Sequence, residues 1–229
     1  MEEVKEVKKE KVKGEKDWRP IWLFLLISVV LTMVISFGAG VISGLKDLPL
    51  EETATKGTAI ASIAANVVLL IVFLIIYRKK LLEGIKKINK KTIILIIVSA
   101  ILVISINDII SNLFSILHIS MDNQETVTKY MEMFEVPMLI MTVICAPVVE
   151  ELVFRYSLGT VCKKDITFVI VSGLLFGFAH GVGIASILYI YIGVSLAIIY
   201  LRSDKNIMAP IAVHFLNNLV SVLMMLLLK

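Results

Sequence analysis

The feature that most limits what this chain can become is a succession of apolar runs about 20 residues long, the length of a helix that crosses a hydrocarbon core. They lie at 20–43, 57–77, 92–117, 137–159, 165–182, 183–201 and 207–228, and predict about seven spans. Inside a bilayer every backbone N–H and C=O must pair within its own segment, so such runs fold as helices. The chain is 58% hydrophobic, against about 45–50% for ordinary soluble domains. Its mean hydropathy is +0.92. The expected fold class is therefore all-α: a polytopic membrane helix bundle.

The segments between the runs organise the rest. Residues 1–17 are rich in Lys and Glu and read as a disordered, solvated cytosolic arm with no cleavable signal. Trp18 and Trp22 flank the first span as interfacial anchors. In 78–91, Leu81, Leu82, Ile85 and Ile88 share a helical face among lysines. That describes either a short basic helix lying on an anionic leaflet or a plain cytosolic loop. Val127, Tyr130, Met131 and Phe134 give 119–136 the spacing of an amphipathic helix. Residues 18–136 thus form the N-terminal spans and their connections, and 137–229 a membrane core. With the N-terminus inside, inner segments hold 19 of the 23 Lys and Arg residues, predicting an N-in, C-out protein. Cys145 and Cys162 lie in or beside spans and suggest packing, not a disulfide.

Three places in the second half break the apolar pattern: Glu150-Glu151 with Arg155, Phe176 through His180, and His214 through Asn218. A charge at the centre of a membrane helix costs about 2.5–3.5 kcal/mol even on the lenient insertion scale. At about 100° per residue, Glu151 and Arg155 lie about 40° apart and form an internal brace, whereas Glu150 lies about 140° from Arg155 and is free to act as a base. His214 and Asn218 project together, and Asn217, about 60° from His214, remains eligible. Asn107 and Asp108 read as polar contacts between helices, and His118 as an interfacial residue without function.

A carboxylate and an imidazole can share and deprotonate a water, and an imidazole with an amide can donate to a developing oxyanion. No Ser or Cys stands at helical spacing from His180 or His214 in a convincing nucleophile arrangement, so water is the expected nucleophile. Glu150, His180 and His214 could instead ligate a divalent metal such as zinc. Other classes remain open: structural polar groups bonded across helices, or an ion-coupled transporter with titratable groups at the midplane. Counting about 1.5 Å per residue places Glu150 and His214 about 11–14 Å deep but His180 about 22 Å deep. Convergence therefore requires a fifth span displaced along its axis, or different boundaries.

Pro147 through Arg155 resembles the EExxxR motif of the CAAX-protease and bacteriocin-processing (CPBP, or Abi) intramembrane endopeptidases. Phe176–His180 is similar to their FxxxH motif and His214–Asn218 to their HxxxN motif, in order, over roughly 137–222. The resemblance implies an intramembrane endopeptidase in which Glu150 activates water with His180, and His214 and Asn218 form the oxyanion hole. Glu151, Arg155 and Phe176 fall at supporting positions. Use of zinc is disputed within the family. The implied partners are the bilayer and a membrane-associated peptide: a prenylated protein, a bacteriocin precursor or a signal peptide. Nothing points to nucleic acid. A non-catalytic immunity or scaffold protein of the same fold is the alternative. Tyr156 departs from the family pattern, where Gly often follows the Arg, and predicts altered packing there.

Overall fold

The computed structural model describes residues 15–227. Among these the chain is helical: α1 (Arg19–Lys46), α2 (Leu50–Lys86), α3 (Lys90–Ile116), α4 (Asp122–Met133), α5 (Glu135–Val161), α6 (Asp165–Ala179), α7 (Ser186–Arg202) and α8 (Met208–Leu227). Five of them, α1, α2, α3, α5 and α8, are long and apolar enough to cross a membrane. The other two expected spans, α6 and α7, are apolar but only 15 and 17 residues long. The exposed residues of α1 to α3 are largely Leu, Ile and Val, the surface an integral membrane protein turns to lipid.

Two expectations about the connections change. The basic stretch is neither a separate helix nor a loop, since α2 runs unbroken through it to Lys86. No residue before Gly84 interrupts helix formation, and Leu81 and Gly84 are buried. Asn206, in the α7–α8 connection, donates through Nδ2 to the Gly84 carbonyl at 2.9 Å. The α7–α8 connection therefore covers the helix at Gly84, while Leu82, Ile85 and Ile88 of the expected apolar face stay exposed. The amphipathic helix, by contrast, appears as α4, with Met131 buried.

The charged arm, where the structure describes it, is not loose at its end. Residues 1–14 lie outside the described residues, but Asp17 is buried. Its carboxylate accepts from Arg19 at 2.7 and 2.8 Å, from the Tyr77 hydroxyl at 3.2 Å and from the Tyr156 hydroxyl at 3.3 Å. Its backbone N–H donates to Thr160 Oγ1 at 2.9 Å, and Ser157 donates to its carbonyl. Tyr156 thus ties the N-terminal segment to α5 and packs edge-on against Tyr77. Arg19 holds the Asp17 carboxyl below its ordinary range, with Tyr77 adding to the effect. A depressed folded-state pKa means stability present above the unfolded value and lost as pH falls through the folded one. Acid titration should therefore release this segment only below about pH 4, the ordinary aspartate range. Emission from Trp18 and Trp22 reports it, and Asp17→Asn should abolish that transition.

Glycine sets the spacing of α6 on α7. A Cβ at Gly173 would stand 2.4 Å from Val194 Cγ2, and one at Gly177 2.3 Å from Ile190 Cγ1. Gly173 and Gly177 thus form a small-residue seam against α7. Gly193 on the facing helix is blocked chiefly by main chain: a Cβ would lie 2.9 Å from Phe176 Cβ, 3.0 Å from Gly173 Cα and 3.1 Å from the Gly173 carbonyl oxygen. Backbone cannot yield as a side-chain tip can. Gly193→Ala should therefore lower the thermal midpoint in detergent and reduce activity, because Gly193 also receives Arg155, described below.

The core runs through both halves of the chain. Leu69, Phe73 and Tyr77 of α2 share one apolar cluster with Val149 and Leu152 of α5, Phe176 of α6 and Leu196 of α7.

Candidate active site

Helix α5 is not uniform. Widened π turns at Met141–Cys145 and Leu152–Ser157 bracket the α-helical segment Ala146–Glu151. Such turns occur often at functional sites. Pro147 helps explain the first, because its ring cannot donate and crowds the carbonyl four residues back. Side chains of neighbouring helices reach a carbonyl in each turn. Asn218 Nδ2 donates to the Thr142 carbonyl at 2.9 Å, and Ser172 Oγ to that of Phe154 at 2.8 Å. The helices that satisfy these turns, α8 and α6, are the two that carry His214 and the helix end at His180.

The three motifs converge. Glu150 Oε2 lies 3.7 Å from His180 Nε2 and 3.9 Å from His214 Nε2. These distances exceed a hydrogen bond, yet one water could reach both groups of either pair. Glu150 Oε2 is itself buried without a partner, on the wall of a cavity of about 640 Å³ also lined by His180, His214, Asn217 and Asn218. The expected depth mismatch disappears. The connection between α5 and α6 is extended at Cys162 and Lys164, which allows α6 to shift along its axis. Helix α6 stops at Ala179, so His180 caps its end. The chain then leaves through Gly181 (φ 143°) and Gly183 (φ 113°), backbone conformations that L side chains rarely adopt.

Each imidazole is held by its other nitrogen. His180 Nδ1 lies 2.8 Å from the Phe176 carbonyl. A carbonyl only accepts, so Nδ1 carries the proton and Nε2 of the neutral ring is an acceptor facing Glu150. The ring is stacked on Tyr189 at 4.8 Å and packs against Phe176 at 4.4 Å. His214 Nδ1 lies 2.9 Å from Glu151 Oε1.

Glu151 therefore does more than brace Arg155. Its other oxygen lies 3.1 Å from Arg155 Nε, and both side chains are fully buried. The approach is close but off the N–H direction, since neither atom has a formed hydrogen bond. Arg155 also donates through Nη2 to the Gly193 carbonyl at 3.3 Å and lies 4.5 Å above the Phe176 ring. One carboxylate thus links Arg155 on α5 to His214 on α8.

The sequence left Tyr189 and Thr142 unmarked and Asn217 only eligible. Tyr189, Thr142 and Asn217 line the same cavity. Tyr189 carried no readable signal. Asn217 lies beside the Asn218 of the motif, and angle alone could not separate them. Asn107 and Asp108, read as contacts between helices, also line the cavity, where Asn107 Oδ1 is buried without a partner. Cys145 and Cys162 are free thiols.

The donor set does not fit a metal as it stands. Two zinc ligands with bonds of about 2.0–2.1 Å span roughly 3.3–3.4 Å across a tetrahedral angle. The separations from Glu150 Oε2 are 3.7 and 3.9 Å. Among the described residues, no trio of His, Cys, Asp or Glu is gathered closely enough to hold a metal ion.

Compared with known families, residues 132–220 match the model of Type II CAAX prenyl endopeptidase Rce1-like proteins. This is the family expected from the three motifs, and the matched segment contains all of them. It is a protease family. No curated protein and no solved structure matches the chain.

Proposed function

We propose that this Rce1-like membrane protein is an intramembrane endopeptidase that hydrolyses a peptide bond with a water activated by Glu150 and His180. The observation that carries this reading is Glu150 Oε2: buried, unpartnered, on a cavity wall and facing two imidazole Nε2 atoms. A water there donates one proton toward Glu150 Oε2 and the other toward His180 Nε2, leaving a lone pair for the substrate carbonyl. Glu150 takes the proton as the C–O bond forms and delivers it to the amide nitrogen as the C–N bond breaks. The developing oxyanion is received by His214 and by the second N–H of Asn218, whose first is committed to the Thr142 carbonyl. To donate at Nε2 while Nδ1 donates to Glu151, His214 must carry both protons. The Glu151 carboxylate is the counter-ion that form needs.

The substrate is a membrane-associated peptide, prenylated or a bacteriocin or signal-peptide precursor, presented to a site in the plasma membrane of a prokaryote. The N-in, C-out arrangement rests on the distribution of Lys and Arg. The test is purified protein in detergent with a quenched-peptide library. Cleavage that persists undiminished in EDTA and is not raised by added zinc is the expected result. Loss with EDTA and recovery with zinc would replace the water-and-carboxylate scheme by a metal one. Glu150-dependent proton or cation flux in liposomes, without cleavage, would make the protein a transporter.

A further inference from the structure

Two residues that line the cavity each bury a polar atom without a partner, beside the groups assigned to the chemistry. Asn217 is only 5% exposed, and its Oδ1 is buried without a partner. Thr142 Oγ1 is buried without a partner as well. Both residues line the cavity that holds Glu150. A helical threonine commonly returns its hydroxyl to the carbonyl four residues back. Thr53, Thr55, Thr58 and Thr128 do so at 2.8–2.9 Å, and Thr142, in the first π turn, does not.

The orientation of both asparagines follows from one carbonyl. The Thr142 carbonyl can only accept, so Asn218 presents Nδ2 to it at 2.9 Å. Asn218 Oδ1 then faces Asn217, which must answer with Nδ2, at 3.4 Å. Asn217 Oδ1 is thereby turned away from Asn218 as a free acceptor. Thr142, Asn218 and Asn217 form a ladder between α5 and α8, with an unpartnered hydroxyl at one end and an unpartnered acceptor at the other.

We infer that this ladder is a docking track for the main chain of the peptide substrate: Asn217 Oδ1 accepts an amide N–H and the Thr142 hydroxyl donates to a carbonyl of the substrate. An extended peptide presents this alternation of donor and acceptor along its edge, whatever its side chains. The track recognises backbone and leaves side-chain selection to the apolar wall, where Met138 and Met141 lie. The inference rests on the peptidase reading, and its test separates the two.

The experiment uses the full chain in detergent with a quenched peptide that the wild type cleaves. A set of ester analogues replaces one amide N–H of that peptide at a time. One ester position should raise KM about tenfold, the effect of one hydrogen bond lost. Asn217→Leu should raise KM for the all-amide peptide by a similar factor and lose nothing further at that ester position. Thr142→Val should raise KM as well while remaining sensitive to the same ester. Thermal midpoints at or above wild type would show that neither change acts by unfolding. Unchanged KM in both variants, or an equal ester penalty in wild type and Asn217→Leu, would overturn the track and leave the peptidase standing. Equal cleavage by wild type and Glu150→Gln would instead overturn the peptidase reading, and the track with it.

Discussion

Glu150→Gln should lower kcat for peptide cleavage by about 10²- to 10⁴-fold, the range set by removing a positioned general base. Glutamine keeps the shape of the side chain and its place on the cavity wall but cannot take up the water's proton. The thermal midpoint should stay level or rise. The wild-type carboxylate has an oxygen buried without a partner, and a neutral amide is less costly to bury than a charge. Loss of turnover with retained or increased stability is the pattern of a residue kept for chemistry. Glu151→Gln should behave differently, because Glu151 holds Arg155 and His214; it should lose stability as well as activity. Equal turnover by wild type and Glu150→Gln in the quenched-peptide assay would remove Glu150 from the role of base.

That the adjacent glutamates face different ways was legible in the sequence, because about 100° per residue separates their faces. The i, i+4 pair Glu151–Arg155 stands where that angle puts it. The partition was nonetheless too clean. Angle within one helix says nothing about a second helix, and His214 of α8 meets Glu151 at Nδ1 while facing Glu150 with Nε2. The same limit hid Tyr189, whose stacking on His180 depends on how α7 returns after Gly181 and Gly183. Hydropathy located all seven apolar helices, but α6 and α7 fall short of the length expected of a span. The π turns were not readable, since Pro147 signals strain but not how the turn relieves it, and Leu152–Ser157 contains neither Pro nor Gly. The continuation of α2 through its lysines was equally hidden: what covers Gly84 is Asn206, more than a hundred residues away in sequence.

Arg155→Leu should be the most destabilising single change at the site, and pairing it with Glu151→Leu should restore much of the loss without restoring activity. Breaking a buried ion pair costs about 3–5 kcal/mol, because the surviving charge is left without its counter-ion, whereas replacing both members by apolar residues is often neutral. Here both side chains are fully buried. The ion pair is not aligned as a hydrogen bond, and Arg155 Nη1 has no partner at all. The pair therefore makes fewer bonds than its burial calls for, which favours the apolar replacement. Activity should not follow stability, because Glu151 also anchors His214 Nδ1 at 2.9 Å. In the double variant His214 loses the carboxylate that orients it and balances its charge as an oxyanion donor. Thermal unfolding in detergent and peptide turnover, measured on both single variants and the double, resolve the two roles. A double variant as unstable as Arg155→Leu would show that the brace is required for packing. One that regains both stability and turnover would show that Glu151 does not act through His214.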